Sequence, residues 1–195
     1  MDESTIGRSE APLTRRALSL LLPSALNLGM AQILAPALNA MLARTSDPEA
    51  AIGGFAVALG ISGLVALPQL RIQHLTLVFF EGPGSLARLR RFVVGFALLV
   101  TLLAALVGLT PLSGVVLERL FATDGALRDE AALSLMVLVP FPALMIARMH
   151  LYGIALRAER PLIVWAGTAG GASTVLLGAA ALLAAGVDGA PVAAF

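Results

Sequence analysis

The stretch from Arg16 to Ala43, RALSLLLPSALNLGMAQILAPALNAMLA, constrains this chain most. It carries no charge after Arg16 and exceeds the ~20 residues that a helix needs to cross a hydrocarbon core of ~30 Å. A plain lipid anchor has no use for the polar and helix-breaking residues inside it: Pro23, Asn27, Gln32, Pro36 and Asn39. Amides and prolines at that depth need neighbouring helices or an aqueous cavity to satisfy the groups they expose. The stretch therefore reads as the first wall of a polytopic helix bundle.

Composition supports that reading. The 195 residues are 58% hydrophobic and only 13% charged, with a mean hydropathy of +0.92, which places the chain among integral membrane proteins. Every base is Arg and the net charge is +1, so there is no basic surface for nucleic acid. Cysteine is absent, which excludes disulfides and thiolate chemistry. The apolar run after Arg16 is too long for a cleavable signal.

In chain order, residues 1–15 form a polar tail and residues 16–195 an N-terminal transmembrane bundle. The expected fold class is all-α, with five full spans at about 16–43, 50–80, 92–116, 131–154 and 162–185, and the start of a sixth at 190–195. Polar clusters with Pro48 and with Arg157 to Pro161 mark turns, and Glu81 to Arg91 reads as a loop. Pro23, Pro36, Pro68, Pro140 and Pro142 are hinge or kink candidates. Glycines 53, 54, 60 and 63, and the run from Gly167 to Gly178, suit helix contacts in lipid. No internal repeat is visible in the residues. The run GVDGAPVAAF begins a new apolar segment and stops, so the chain is expected to be part of a longer protein.

Arginine placement gives an orientation. Nine Arg fall beside the tail and the second and fourth connections, and three (Arg44, Arg119, Arg128) beside the others, where acids gather. By the positive-inside rule the N-terminus is cytoplasmic, in a cell (plasma or inner) membrane.

Candidate site residues are the polar groups within the spans. Gln32 and Asn39 are one heptad apart and share a face, offering donors and acceptors to a polar substrate, or else an interhelical amide contact. In the second span Arg71 and His74 share a face, while Gln69 and Gln73 lie on a stripe with Ser62. Arg71 fits a carboxylate or phosphate; the bland alternative is a guanidinium snorkelling to headgroups. Arg148 and His150 read as interfacial, and Tyr152 and Trp165 as belt residues. No acid lies inside a span, and no nucleotide, metal or triad pattern is present. The expectation is no enzyme, no cofactor and no metal.

Three features carry a family resemblance: LPSALN from Leu22, Pro48-Glu49-Ala50 leading into a glycine-bearing helix, and GVDGAPVAA from Gly186. They resemble the opening half of the multidrug and toxic compound extrusion (MATE) transporters and the wider multidrug, oligosaccharide-lipid and polysaccharide (MOP) flippase superfamily. ALN at Ala37 to Asn39 and PQLRIQHLTLVF from Pro68 look like the progressive ankylosis type of exporter. The resemblance implies a secondary transporter or antiporter that effluxes a polar or amphiphilic small molecule, anionic if Arg71 binds it. Alternating access would run between this bundle and a second six-helix bundle. The rival readings are a non-transporting membrane scaffold that packs through its glycine faces, and a half-size transporter acting as a homodimer.

Overall fold

The computed structural model describes Ala25, Gly29 and residues 32–194, and among these every regular element is helical. We number them α1 (Gln32–Leu42), α2 (Pro48–Ala66), α3 (Gln69–Phe79), α4 (Pro83–Gly108), α5 (Leu112–Leu120), α6 (Gly125–Val137), α7 (Phe141–Arg157), α8 (Pro161–Ala184) and α9 (Pro191–Ala194). The tail, Pro23 and Asn27 lie outside the described residues.

Three helical segments are long and apolar enough to cross a membrane: Pro48–Phe79, Gly84–Gly108 and Leu162–Ala184. A fourth forms if α6 and α7, bent by 47° at their junction, count as one span. The described residues thus support three to four spans rather than five full ones, because most of the expected 16–43 helix falls outside them.

Two expected kinks are present. The long second helix breaks at Leu67–Pro68, where the Leu67 N–H reaches back only three residues, to Leu64. The expected 131–154 helix is instead the pair α6 and α7, broken across Leu138, Val139 and Pro140. Pro140 and Pro142 have no N–H to continue the ladder, which fixes the break there.

The third helix departs from expectation. It runs from Pro83 to Gly108, not 92 to 116, and most of the supposed loop Glu81 to Arg91 is its first turns. The reason is local: Pro83 occupies the first helical position, where a missing N–H costs nothing, and the Ser85 hydroxyl accepts from the Glu81 and Gly82 N–H groups at 2.9 Å each. At its far end Pro111 starts the separate short helix α5.

Packing is organised by two glycines. A Cβ on Gly54 would lie 2.9 Å from the Ala131 nitrogen, and one on Gly153 would lie 2.6 Å from Thr76 Cβ and 2.9 Å from the Gln73 carbonyl oxygen. Residues 54 and 131, and residues 76 and 153, are each 77 positions apart. One register therefore runs along both contacts, and the broken spans α2–α3 and α6–α7 lie parallel, side by side. Gly108 makes a third close approach, to the Leu135 carbonyl on α6, while Gly60, Gly63, Gly170 and Gly171 meet no neighbour.

Two apolar clusters follow. Leu42, Ala51, Phe55, Leu117, Leu135 and Val192 belong to the one that gathers α1, α2, α5, α6, α9 and the Ala179 side of α8. Ile72, Leu89, Val93 and Ile146 belong to the other, formed by α3, α4 and α7. Helix α8 is peripheral, with 11% of its apolar window buried against 44% for Pro48–Phe79.

The acidic end is laced by loop contacts. Ser46 N–H donates to Asp188 at 2.9 Å, Ala190 N–H donates to Glu130 at 2.7 Å, and Arg128 pairs with Glu118 at 2.8 Å. Gly189, at φ +86°, lies against the Glu130 carboxylate, so a side chain there would meet both strain and a clash.

Two predictions follow from this packing. Gly153→Ala must displace Thr76 or the Gln73 backbone and costs about 1–3 kcal/mol, whereas Gly170→Ala, in open space, is neutral or stabilising. Thermal unfolding in detergent should show a clear loss of Tm for the first and none for the second. Hydrogen bonds from Ser46, side chain first and backbone next, and from the Gly189 N–H hold the Asp188 carboxyl below its ordinary value of 3.8. A depressed carboxyl stabilises the fold above its unfolded pKa, and that contribution is lost as pH falls through the folded one. Asp188→Asn should therefore flatten the decline of Tm with pH below about 4; Tm–pH profiles that superimpose would refute the linkage.

Candidate functional site

The residues expected to line a cavity fall into two groups that the described contacts do not join. Gln32, Pro36 and Asn39 are exposed on α1, whose opposite side sends Leu38 and Leu42 into the first apolar cluster. On α3, Arg71 and His74 are exposed, and the His74 Nδ1 contacts the Leu70 carbonyl at 3.2 Å, within its own helix. Gln69 and Gln73 are half-buried. The Gln69 Oε1 is enclosed without a hydrogen-bond partner, as is the Ser134 hydroxyl on α6. Buried acceptors without partners cost about 1–3 kcal/mol each, so both are places where a water or ligand would be welcome.

The described spans hold two further polar groupings on α7. His150 and Tyr152 are each only 7% exposed, so both side chains turn inward to other helices rather than standing on an open surface. Trp165 is 36% exposed. The His150 Nδ1 lies 2.9 Å from the Thr76 hydroxyl, which also lies 2.9 Å from the Ile72 carbonyl. A carbonyl only accepts, so the Thr76 proton goes to Ile72 and the His150 Nδ1–H donates to the Thr76 oxygen. The Nε2 of His150 is left without a partner.

Arg148 is the second case. Its Nε donates to the Tyr152 hydroxyl and its Nη2 to Thr168 on α8, both at 2.8 Å, while Tyr152 and Thr168 stand 2.8 Å from each other. Thr168 passes its own proton to the Val164 carbonyl at 3.1 Å. The guanidinium carbon also sits 5.0 Å from the Tyr152 ring centre, a cation–π geometry. Gly167 makes room for the ring: a Cβ there would lie 3.3 Å from it. Hydroxyls satisfy the N–H groups, but no carboxylate balances the charge among the described residues.

Arg71 and Arg148 are also 77 positions apart, the register of the paired spans. They therefore sit level on parallel helices, one exposed and one half-buried. The sequence shows Arg71 as the charge inside a span, and its partner in level was missed. The signal was present in the spacing of Arg148 from Arg157, two and a half turns or about 13 Å at ~1.5 Å per residue.

Among the described residues no cluster of His, Asp and Glu could hold a metal ion. No family model, curated protein or solved structure matches the chain.

The Arg148 grouping predicts coupling between its hydroxyls. Tyr152→Phe and Thr168→Val should each destabilise by about 1 kcal/mol. Their double variant should fall short of the sum by 0.5 kcal/mol or more, on the order of couplings between residues in one network. Additive losses in a denaturant or thermal cycle would show that the three groups act separately.

Proposed function

We propose that this chain is the first bundle of a MATE-like secondary transporter that moves an anionic or amphiphilic small molecule. One observation carries the reading: two guanidinium groups, Arg71 and Arg148, lie level in two parallel, proline-broken spans without a carboxylate partner among the described residues. A charge in a span costs at least ~2.5 kcal/mol unless hydrated, paired or used, and such groups mark substrate or ion pathways. Discontinuous helices paired side by side are the usual material of transporter binding sites. The resemblance of the opening residues to the MATE and MOP superfamily, and to its progressive ankylosis branch, points the same way.

In this reading the whole fold has five full spans and a sixth in this half. A second six-helix bundle faces it, and alternating access supplies efflux or antiport across the cell membrane. The N-terminus and the Arg-rich loops face the cytoplasm. Gln32, Asn39, Gln69, Gln73 and His74 then border the substrate path, with Arg71 contacting the anion. The protein needs no enzyme chemistry for this.

A second reading, a membrane scaffold that packs through glycine faces, is favoured by α8, whose Gly170 and Gly171 are uncovered. Transport separates the two. The natural full-length protein, reconstituted in proteoliposomes, should exchange labelled organic anions, and Arg71→Gln should lower that rate at least tenfold with folding unchanged. Absence of exchange across a panel of organic anions and amphiphiles, or an unaffected Arg71→Gln rate, would favour the scaffold.

A further inference from the structure

At the basic end of the bundle a cleft of about 380 Å³ opens between the first turns of α4 and the last turns of α7. Its walls are Leu86, Ala87, Leu151 and Ile154, and its two polar groups are Arg90 and His150. Arg90 is exposed at the mouth, whereas His150 is 93% enclosed by its 7% exposure and anchored by Thr76. Because Nδ1 is committed to Thr76, the polar atom His150 has left to offer is Nε2 (no partner satisfies it). The cleft thus pairs an anchored imidazole edge with an exposed guanidinium fork, inside walls that are otherwise aliphatic.

We propose that this cleft binds the phosphate-bearing headgroup of an anionic phospholipid. A guanidinium grips phosphate oxygens in a bidentate fashion. The Nε2 completes the site from the closed side, accepting from a hydroxyl of the headgroup or, when protonated, donating to the phosphate. Arg88 and Arg91 flank Arg90, Arg157 ends the facing helix and Arg160 caps the start of α8, against Glu81 and Glu159 at the same end. That excess of positive charge favours an anion over a zwitterion. Basic recesses between spanning helices are where acidic headgroups lodge. The exposed apolar wall of the cleft, Leu151 at 62%, gives an acyl chain a surface to lie on, which a free phosphate would not use. The assignment is independent of transport: it concerns a recess between α4 and α7, away from Arg71 and Arg148's partners on α8.

The test is lipid retention by the purified protein in detergent, read by native mass spectrometry against phosphatidylglycerol and phosphatidylcholine. The wild-type protein should keep phosphatidylglycerol at least tenfold better. Arg90→Gln and Ala87→Phe, the latter filling the cleft from an exposed position, should each bring the ratio near one. Arg88→Gln, on the same helix but not lining the cleft, should leave most of it. His150→Gln should weaken retention in protein whose Tm is held. Equal retention of the two lipids by wild type, or the same loss in Arg88→Gln as in Arg90→Gln, would overturn the site and leave only diffuse charge attraction. Displacement of the lipid by millimolar glycerol phosphate would assign the cleft to soluble phosphates and overturn the lipid as its occupant. A protein that retains phosphatidylglycerol but carries no anion flux would keep this inference and lose the transport reading.

Discussion

Close backbone approach at Gly54 and Gly153 is the constraint on which the rest of the architecture depends. In a bilayer lipid tails are as apolar as leucine, so helices hold together by van der Waals contact and interhelical hydrogen bonds rather than by escaping water. Contact needs proximity, and proximity needs a missing side chain at the crossing. Two such points on one pair of spans do more than one. They fix register, so that everything else on α2–α3 acquires a definite partner level on α6–α7. The proline breaks then fall near one another, dividing the packing into the two apolar clusters. The two arginines end at the same depth for the same reason.

Polar side chains inside these spans are satisfied mainly through threonine hydroxyls. Thr76 takes the His150 proton and gives its own to Ile72; Thr168 accepts from Arg148 and gives its own to Val164. A hydroxyl can donate once and accept twice, so each converts a backbone carbonyl one turn back into an anchor for a neighbouring helix. Among the described residues, the groups left without a partner include the Arg71 guanidinium, the His150 Nε2, and the enclosed oxygens of Gln69 and Ser134.

How much of this was legible in the residues depends on the kind of signal. Prolines 68 and 140 announce breaks because ring closure removes a donor, and both breaks are present, whereas α1 runs unbroken through Pro36, also expected as a kink. The helical class and the turns at Pro48 and at Arg157 to Pro161 were equally readable from hydropathy and from the polar clusters around proline. The start of α4 was hidden by its arginines: Arg88, Arg90 and Arg91 look like a loop, although Gly82-Pro83-Gly84-Ser85 is a helix opening with Pro at the first position and a capping serine. Glycines could not be ranked, since Gly54 in a tight contact and Gly60 in open space are alike in sequence. His150 and Tyr152 looked interfacial because their neighbours in sequence include charges; their partners, Thr76 and Thr168, lie 74 and 16 positions away.

The two ends of the bundle differ in a way that bears on movement. At the acidic end, loops are stitched by exposed or half-exposed hydrogen bonds and one surface ion pair, contacts that water readily replaces. At the basic end a cleft stands open between α4 and α7. The glycine contacts between the paired spans cannot change without moving whole backbones, so they behave as the rigid part. In the proposed alternating-access cycle α2–α3 and α6–α7 would therefore move together as a block, and the Ser46–Asp188 and Glu130–Ala190 ties are the contacts of this bundle that yield first. The difference in cost sets that order: loop hydrogen bonds exchange readily with water, whereas parting helices at Gly54 and Gly153 would surrender the packing that nothing in lipid replaces.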